Sequence, residues 1–277
     1  MKTVDANGAR IPAIGPGTFQ LSGETCRTMV AEALRIGYRH IDTAQAYGNE
    51  EAVGAGIRDS GVRREEIFLT TKIWPDDFRA DALKRSMDQS LKRLGTDHVD
   101  LTLLHWPSRD VPLAETLAAL GEVREAGKTR HGGISNFTVA LIREAVDMSP
   151  MPLVTDQVEY HPFIDQGPVL GELRRHGMAL TAYAPIAHGQ VIGEPTIEEI
   201  AKRDGKTAVQ VALAWLISQD GVIAIPRTSK VERLAQNFDV VDLDLSDEEM
   251  QALHGLARPD GRIISPAGLA PAWDTAA

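Results

Sequence analysis

Apolar positions along this chain follow two alternating rhythms. Short apolar, β-branched runs predict strands covered on both faces. Between them, apolar residues recur every three or four positions, which predicts helices. The chain opens differently. Asn7-Gly8 separates Val4 from Ile11, and this pair supplies the positive φ angles of a tight hairpin. Gly15-Pro16-Gly17-Thr18-Phe19 follows as a short strand or its end. Cys26, Met29, Val30 and Ala33 keep helical spacing over 24–37, with Gly37 as the stop, so Cys26 belongs to a packed face.

From there the alternation is regular. A first apolar run ends at Asp42, and a helix passes through Val53 and Ile57. The run 67–71 ends in Lys72, and a helix carrying Leu83, Met87, Leu91 and Leu94 stops at Gly95. The run 99–104 ends in His105, with a helix near 112–126 after it. A strand near 130–134 ends in Ser135-Asn136, 153–156 lead to Gln157, and 178–182 lead to Tyr183. A strongly apolar helix over 207–218 precedes 222–225, which Pro226-Arg227 close. Thr196/Glu199, Ser229/Glu232 and Ser246/Glu249 have the spacing of capping boxes. Counted from Thr18, the pattern gives about eight β/α units, the number that closes a (β/α)8 TIM barrel. The expectation is an α/β chain forming a single domain over 1–277, with an N-terminal β-hairpin and two extra helices near 196–204 and 246–256. An open doubly wound sheet would need a glycine fingerprint in its first strand–helix turn. Gly15-Pro16-Gly17 lacks the third glycine, and Gly54-Ala55-Gly56 falls inside a helical pattern.

Composition narrows the function. With 277 residues and 43% apolar content, a sizeable core is expected. A net charge of −10 argues against a nucleic-acid partner. One cysteine suits a reducing, cytoplasmic setting. The first residues carry no apolar signal core, and no stretch reaches the about 18 apolar residues of a membrane span. No metal-ligand spacing stands out.

In a parallel α/β fold the chemistry sits at the C-terminal ends of the strands. Asp42, Tyr47, Lys72 and His105 come from three successive strand ends, so a barrel would bring them to one face. Lys72 closes an apolar strand, where a cation needs a partner such as Asp42. A phenol titrates near ~10, and a neighbouring ammonium favours its phenolate. With an imidazole beside it, such a phenol could polarise and protonate a carbonyl. This site has no reductant of its own, so hydride must come from a cofactor. Ser135, Asn136 and Gln157 offer neutral groups for a carboxamide, with helix capping the alternative for Asn136. Tyr183 offers a ring face, and Arg227, Thr228, Ser229 and Arg233 at a helix start offer a phosphate site. Phe19, Trp74 and Trp106 follow strand ends and could wall an apolar carbonyl pocket, with Trp273 in the tail either joining them or packed at the surface.

These residues resemble the aldo-keto reductase family, and the short tail is closest to bacterial members similar to 2,5-diketo-D-gluconate reductase. The resemblance rests on His40-Ile41-Asp42-Thr43-Ala44 with Tyr47-Gly48-Asn49-Glu50, on Thr71-Lys72-Ile73-Trp74, and on Leu104-His105-Trp106-Pro107. It continues through Gly132-Gly133-Ile134-Ser135-Asn136-Phe137, Gln157-Val158-Glu159-Tyr160-His161-Pro162, and Pro226-Arg227-Thr228 with Arg233 and Gln236-Asn237. It implies a monomeric (β/α)8 barrel that reduces aldehydes or ketones with NADPH. By that resemblance Tyr47 is the general acid, Lys72 and Asp42 tune it, and His105 orients the carbonyl. It also implies that Ser135, Asn136 and Gln157 hold the carboxamide and Tyr183 stacks on the nicotinamide. Arg227, Thr228 and Arg233 would take the 2′-phosphate, Gln236 and Asn237 would lie near adenine, and Thr18 and Phe19 beside the nicotinamide ribose and substrate. The segment Pro226-Arg227-Thr228 departs from the more usual Pro-Lys-Ser but keeps the charge. Two other readings stay open: a Schiff-base aldolase with Lys72 as nucleophile, and a nucleotide-binding regulatory protein without turnover.

Overall fold

The computed structural model describes residues 2–274. Strands β1 (Thr3–Ala6) and β2 (Ala9–Pro12) pair antiparallel, with Val4 opposite Ile11. Asn7 and Gly8 make the turn at φ 43 and 86, as the Asn-Gly pair predicted. Asn7 also ties the hairpin to the rest of the fold, its Nδ2 donating to the Leu153 carbonyl (2.7 Å) and the His176 carbonyl (2.9 Å).

Seven parallel strands form the main sheet, and each lies beside its predecessor in the chain. They are β3 (His40–Asp42), β4 (Phe68–Ile73), β5 (Val99–Leu104), β6 (Thr129–Ser135), β7 (Leu153–Glu159), β8 (Ala179–Tyr183) and β9 (Val222–Ala224). The intervening helices are α1 (Gly23–Ile36), α2 (Glu50–Ser60), α3 (Ala80–Leu94), α4 (Leu113–Glu125), α5 (Val139–Met148), α6 (Gly167–Arg175), α7 (Pro195–Asp204) and α8 (Ala208–Ser218). After β9 come α9 (Val231–Phe238) and α10 (Asp247–His254). No helix among the described residues is long and apolar enough to cross a membrane. Strands β4 and β7 run further than their apolar cores suggested, so Lys72 and Gln157 sit inside strands rather than after them.

Seven regular strands, not eight, carry the ladder. The unit expected at Thr18 is an irregular segment, since Pro16 has no N–H to give a ladder. It still hydrogen-bonds to both outer strands. Gly15 N–H donates to the Ala224 carbonyl (3.0 Å) and Thr18 N–H to the Asp42 carbonyl (3.0 Å). In return, Asp42 N–H donates to Pro16 (3.2 Å) and Ala224 N–H to Ala13 (2.9 Å). The glycines are there for this close approach: a Cβ on Gly17 would stand 2.9 Å from the Ile225 carbonyl oxygen. Gly54 does similar work between helices, where a Cβ would lie 2.1 Å from the Leu94 carbonyl oxygen. Close helix packing is thus a reason for glycine inside this helical pattern.

Most of the apolar core lies between sheet and helices, and Cys26 is fully buried there. Burial pushes its thiol up to about 11, which makes it inert at neutral pH. A second cluster joins Ile11 of the hairpin to Leu101, Leu103, Val154 and Ile223 of the sheet. The hairpin therefore packs on the sheet's inner face, and the polar residues gather at the opposite strand ends. Of the expected capping boxes, Ser246/Glu249 forms. The other two do not. Pro195 opens α7, where Glu194 accepts from Ile197 N–H instead. In α9 the Thr228 hydroxyl takes the Lys230 N–H, and the helix starts without a side-chain cap. A box not anticipated, Thr207/Gln210, starts α8.

Candidate active site

Asp42 ends β3, and Lys72 lies on the adjacent β4. In the register Asp42 stands opposite Thr70, so Lys72 is two residues further on, on the same face. Lys72 is fully buried and Asp42 nearly so, at 0% and 1% exposure. A buried ammonium needs every N–H used. Lys72 Nζ donates to Asp42 Oδ1 (2.5 Å), the Thr43 carbonyl (2.9 Å) and the Tyr47 hydroxyl (3.3 Å). Burial opposes its charge, but Asp42 and then Tyr47 outweigh that and hold it above the usual lysine range. Lys72 is therefore an ammonium.

Tyr47 closes a 3-10 turn over Gln45–Tyr47, with Gly48 left-handed behind it at φ 63. Two side chains that the strand pattern did not single out fix this loop. Gln45 Nε2 donates to Ser90 Oγ (2.8 Å) and the Ser86 carbonyl (3.1 Å). Asn49 Nδ2 donates to the Thr18 carbonyl (2.8 Å) and the Leu21 carbonyl (2.9 Å), stitching the two loops together. Burial pushes the Tyr47 phenol above its ordinary range; Lys72 pulls it down, yet not enough to reverse the direction. The sequence shows the ammonium and not the burial, and so points to the opposite net shift.

His105 follows β5, its N–H donating to the Ile73 carbonyl (3.0 Å). Its ring lies 5.8 Å from that of Tyr47, edge to face. Burial, then the Lys72 charge, holds it well below the usual histidine range, so the imidazole is neutral. Its Nδ1 is buried with no partner among the described residues.

Ser135, Asn136, Gln157 and Tyr183 form one network with this group. Ser135 Oγ donates to the Gln157 carbonyl (2.7 Å). Asn136 Nδ2 donates to the His105 carbonyl (3.0 Å) and Ser135 Oγ (3.1 Å), and its Oδ1 accepts from the Tyr183 hydroxyl (2.7 Å). Asn136 is left-handed at φ 66 and caps no helix; Thr138 caps α5. Gln157 Nε2 donates to Asp42 Oδ2 (2.7 Å). Thr18 holds the Asp42 carbonyl with both its N–H and its Oγ1, each at 3.0 Å.

Arg227, Lys230 and Arg233 are exposed around the start of α9, and none pairs with a carboxylate among the described residues. Arg227 instead donates to the Phe19 carbonyl (3.1 Å) and the Gln20 carbonyl (3.3 Å). Thr228 and Asn237 are buried, while Gln236 is exposed on α9. Phe19 leans on Tyr47, with ring centroids 5.1 Å apart, and Trp74 meets the His105 ring edge-on at 5.1 Å. Trp106 is buried and faces Trp273 at 6.2 Å. Trp273 is held by Ser265 Oγ (3.0 Å), with the Arg262 guanidinium 3.7 Å over its ring.

Two buried carboxyls on β7, either side of Gln157, were not anticipated. Glu159 accepts the backbone N–H groups of Ile263 (2.7 Å) and Ile264 (2.9 Å), which fastens the tail to the end of β7. Its signal was readable: an acid two residues after Gln157 in an apolar strand needs partners. Asp156 accepts from Phe137 N–H on one oxygen, while the other has no partner among the described residues; burial raises it well above the carboxylate range.

The parallel α/β fold and the relatives that this chain matches make the class an oxidoreductase acting on carbonyl and alcohol groups. The chain belongs to the aldo/keto reductase family, whose model matches residues 13–258. It is similar to methylglyoxal reductase DkgB of Salmonella typhi, at 43% identity over 267 residues, covering 95% of this chain and 99% of that one. A solved structure provisionally named a 2,5-diketo-D-gluconic acid reductase B superposes with a TM-score of 0.98 at 53% identity, covering 99% of this chain and 98% of the other. A Bombyx mori aldo-keto reductase in complex with NADP matches with a TM-score of 0.87 at 32% identity, covering 92% of each chain.

Proposed function

We propose that this protein reduces an aldehyde or ketone to the alcohol with NADPH, Tyr47 giving the proton. One observation carries the reading: a phenol hydroxyl 3.3 Å from a fully buried ammonium, which is itself locked to Asp42 at 2.5 Å. The upward-shifted phenol stays protonated at neutral pH, as a donor must. As negative charge develops on a carbonyl oxygen, Tyr47 passes its proton there, and Lys72 stabilises the phenolate left behind. We assign the proton of the neutral His105 to Nε2, because Nδ1 faces no partner. That N–H would hold the carbonyl oxygen beside the phenol.

The residues present fit the cofactor. Ser135, Asn136 and Gln157 present neutral amide and hydroxyl groups, and Gln157 Oε1 accepts no hydrogen bond among the described residues. The half-buried ring of Tyr183 is placed for a flat heterocycle. Cations without carboxylate partners in a chain of net charge −10 suit a phosphate, with Arg227, Thr228 and Arg233 for the 2′-phosphate and Gln236 and Asn237 beside adenine. Bound there, the reduced nicotinamide supplies the hydride. Phe19, Trp74 and Trp106 would wall the substrate pocket. In this reading, segment 13–18 serves as the eighth member closing the barrel, and residues 1–277 act as one monomeric, cytoplasmic unit.

The Schiff-base reading loses its nucleophile. Lys72 spends all three N–H groups on acceptors and keeps its charge, so it has no lone pair for a carbonyl carbon. The test is NADPH oxidation over a panel of carbonyl compounds that includes methylglyoxal and keto sugar acids, the chemistry the relatives' names give. Oxidation that depends on both the carbonyl and Tyr47 is expected. A folded protein that binds NADPH and leaves the whole panel unreduced would overturn the reading.

A further inference from the structure

Asp42 uses both its oxygens. Oδ1 takes the Lys72 ammonium at 2.5 Å, and Oδ2 takes an amide N–H of Gln157 at 2.7 Å from across the sheet. The orientation of that amide is chemically fixed. A carboxylate paired with an ammonium only accepts, so the nitrogen of Gln157, not its oxygen, must face Asp42. Gln157 is nearly fully buried at 2% exposure, so water does not compete for this contact. Its own backbone is held by the neighbouring strand, the carbonyl accepting from both Ser135 Oγ (2.7 Å) and Asn136 N–H (3.0 Å).

We propose that Gln157 is a positioning residue of the proton-donating group: through Asp42 Oδ2 it orients the carboxylate that holds Lys72 against Tyr47, and its free Oε1 ties this assembly to the carboxamide subsite. The inference rests on Tyr47 being the proton donor, and it adds to the carboxamide role. The contact ranks with charge-assisted hydrogen bonds in strength. It turns Asp42 so that Oδ1 points along the Lys72 ammonium. It also offsets part of the negative charge that Tyr47 feels. Four titratable groups face Tyr47: Lys72, Asp42, His105 and Tyr183. Gln157 hydrogen-bonds to the second of these and makes no hydrogen bond to Tyr47 among the described residues.

The test uses cofactor-free protein, so the carboxamide cannot contribute. The Tyr47 phenol is titrated by the difference in phenolate absorbance between each protein and its own Tyr47→Phe counterpart. In Gln157→Met, which removes the donor at similar length, the phenol should titrate higher by about half a pH unit or more. In Gln157→Glu it should rise further, because a second carboxylate stands beside Asp42. Turnover of Gln157→Glu with NADPH should recover as pH falls, since a protonated Glu can again donate to Asp42. A phenol titration unmoved in both variants, with only NADPH affinity reduced, would confine Gln157 to the carboxamide and overturn the proposal. If Gln157→Met does not fold, the Gln157→Glu titration decides alone. Failure of this test leaves the reductase reading intact, because that reading depends on carbonyl-dependent NADPH oxidation.

Discussion

Replacing Lys72 with Met isolates the interaction on which the candidate site is built. The side chain is fully buried, and its loss leaves the Asp42 carboxylate at 1% exposure without its counter-ion. Breaking a buried pair by removing one partner costs about 3–5 kcal/mol, because the remaining charge is stranded. The Gln157 donor at 2.7 Å keeps part of the solvation of Asp42, which places the expected loss at the lower end, near 3 kcal/mol. With a urea m-value of about 2–3 kcal/mol/M, the midpoint should fall by roughly 1–1.5 M. Adding Asp42→Asn removes the stranded charge, while the new side-chain oxygen can still accept from Gln157. The double variant should therefore recover at least about 1.5 kcal/mol, a coupling that distant sites do not show. Acid helps the single variant. An unpaired buried carboxylate has its folded-state pKa raised, so its stability is whole below the unfolded value of about 3.9 and is lost as pH rises through the raised value. The deficit of Lys72→Met should then narrow on acidification. The assay is urea unfolding of the four cofactor-free proteins of the cycle, at neutral and mildly acidic pH. A single variant within about 1 kcal/mol of wild type, or purely additive losses in the double, would refute the argument that this pair is buried and coupled.

Tyr47→Phe should lower carbonyl reduction by about 10²–10⁴-fold while leaving NADPH affinity nearly unchanged; comparable turnover in the Phe protein would remove Tyr47 as donor. Arg233→Ala should weaken NADPH much more than NADH in fluorescence titrations, and equal losses would place the 2′-phosphate elsewhere. Buried His40 has its imidazole lowered from the usual ~6.5 to about 4, chiefly by burial. Its folded-state pKa is depressed, so its share of stability, about 3 kcal/mol, is present above 6.5 and lost as pH falls toward 4. His40→Gln should flatten the pH dependence of the unfolding midpoint across that window, and an unchanged slope would show that His40 is protonated without penalty.

The strand ends were readable in the sequence for a reason the register makes plain. The register staggers some of these residues and levels others: Asp42 pairs with Thr70 and Lys72 with Leu103, so Lys72 and His105 each stand two residues beyond the polar residue of the strand before, while Ser135 pairs with Gln157 directly. A polar residue that closes an apolar run therefore reaches the same rim as its counterparts, whatever the loops between do. Local periodicity suffices to find such residues, because each is marked by its contrast with its own strand. Local contrast suggested Asp42 for Lys72 on the adjacent strand, but it does not supply partners from further off. Gln157 carries the same amide whether it faces a ligand or a carboxylate 115 residues earlier in the chain. Glu159 likewise shows that it needs donors without showing that Ile263 and Ile264 provide them.

The eighth unit differs for another reason. Segment 13–18 reads in the sequence as a short strand or its end, but its glycines and Pro16 let it pass between β3 and β9 as irregular backbone bonded to both. Its conformation is dictated by the two strands it touches. The same holds for the net shift of Tyr47, where the sequence named the ammonium but could not weigh it against burial, which only the packed site defines. Both cases mark one boundary: residue contrast locates groups, and the depth and direction in which they are held must come from the strands and loops around them. A phenol pushed upward and an ammonium kept charged coexist because burial outweighs Lys72 at the phenol, while Asp42 and then Tyr47 outweigh burial at the ammonium. On the proposed function, the proton so kept on Tyr47 is the one passed to a carbonyl oxygen.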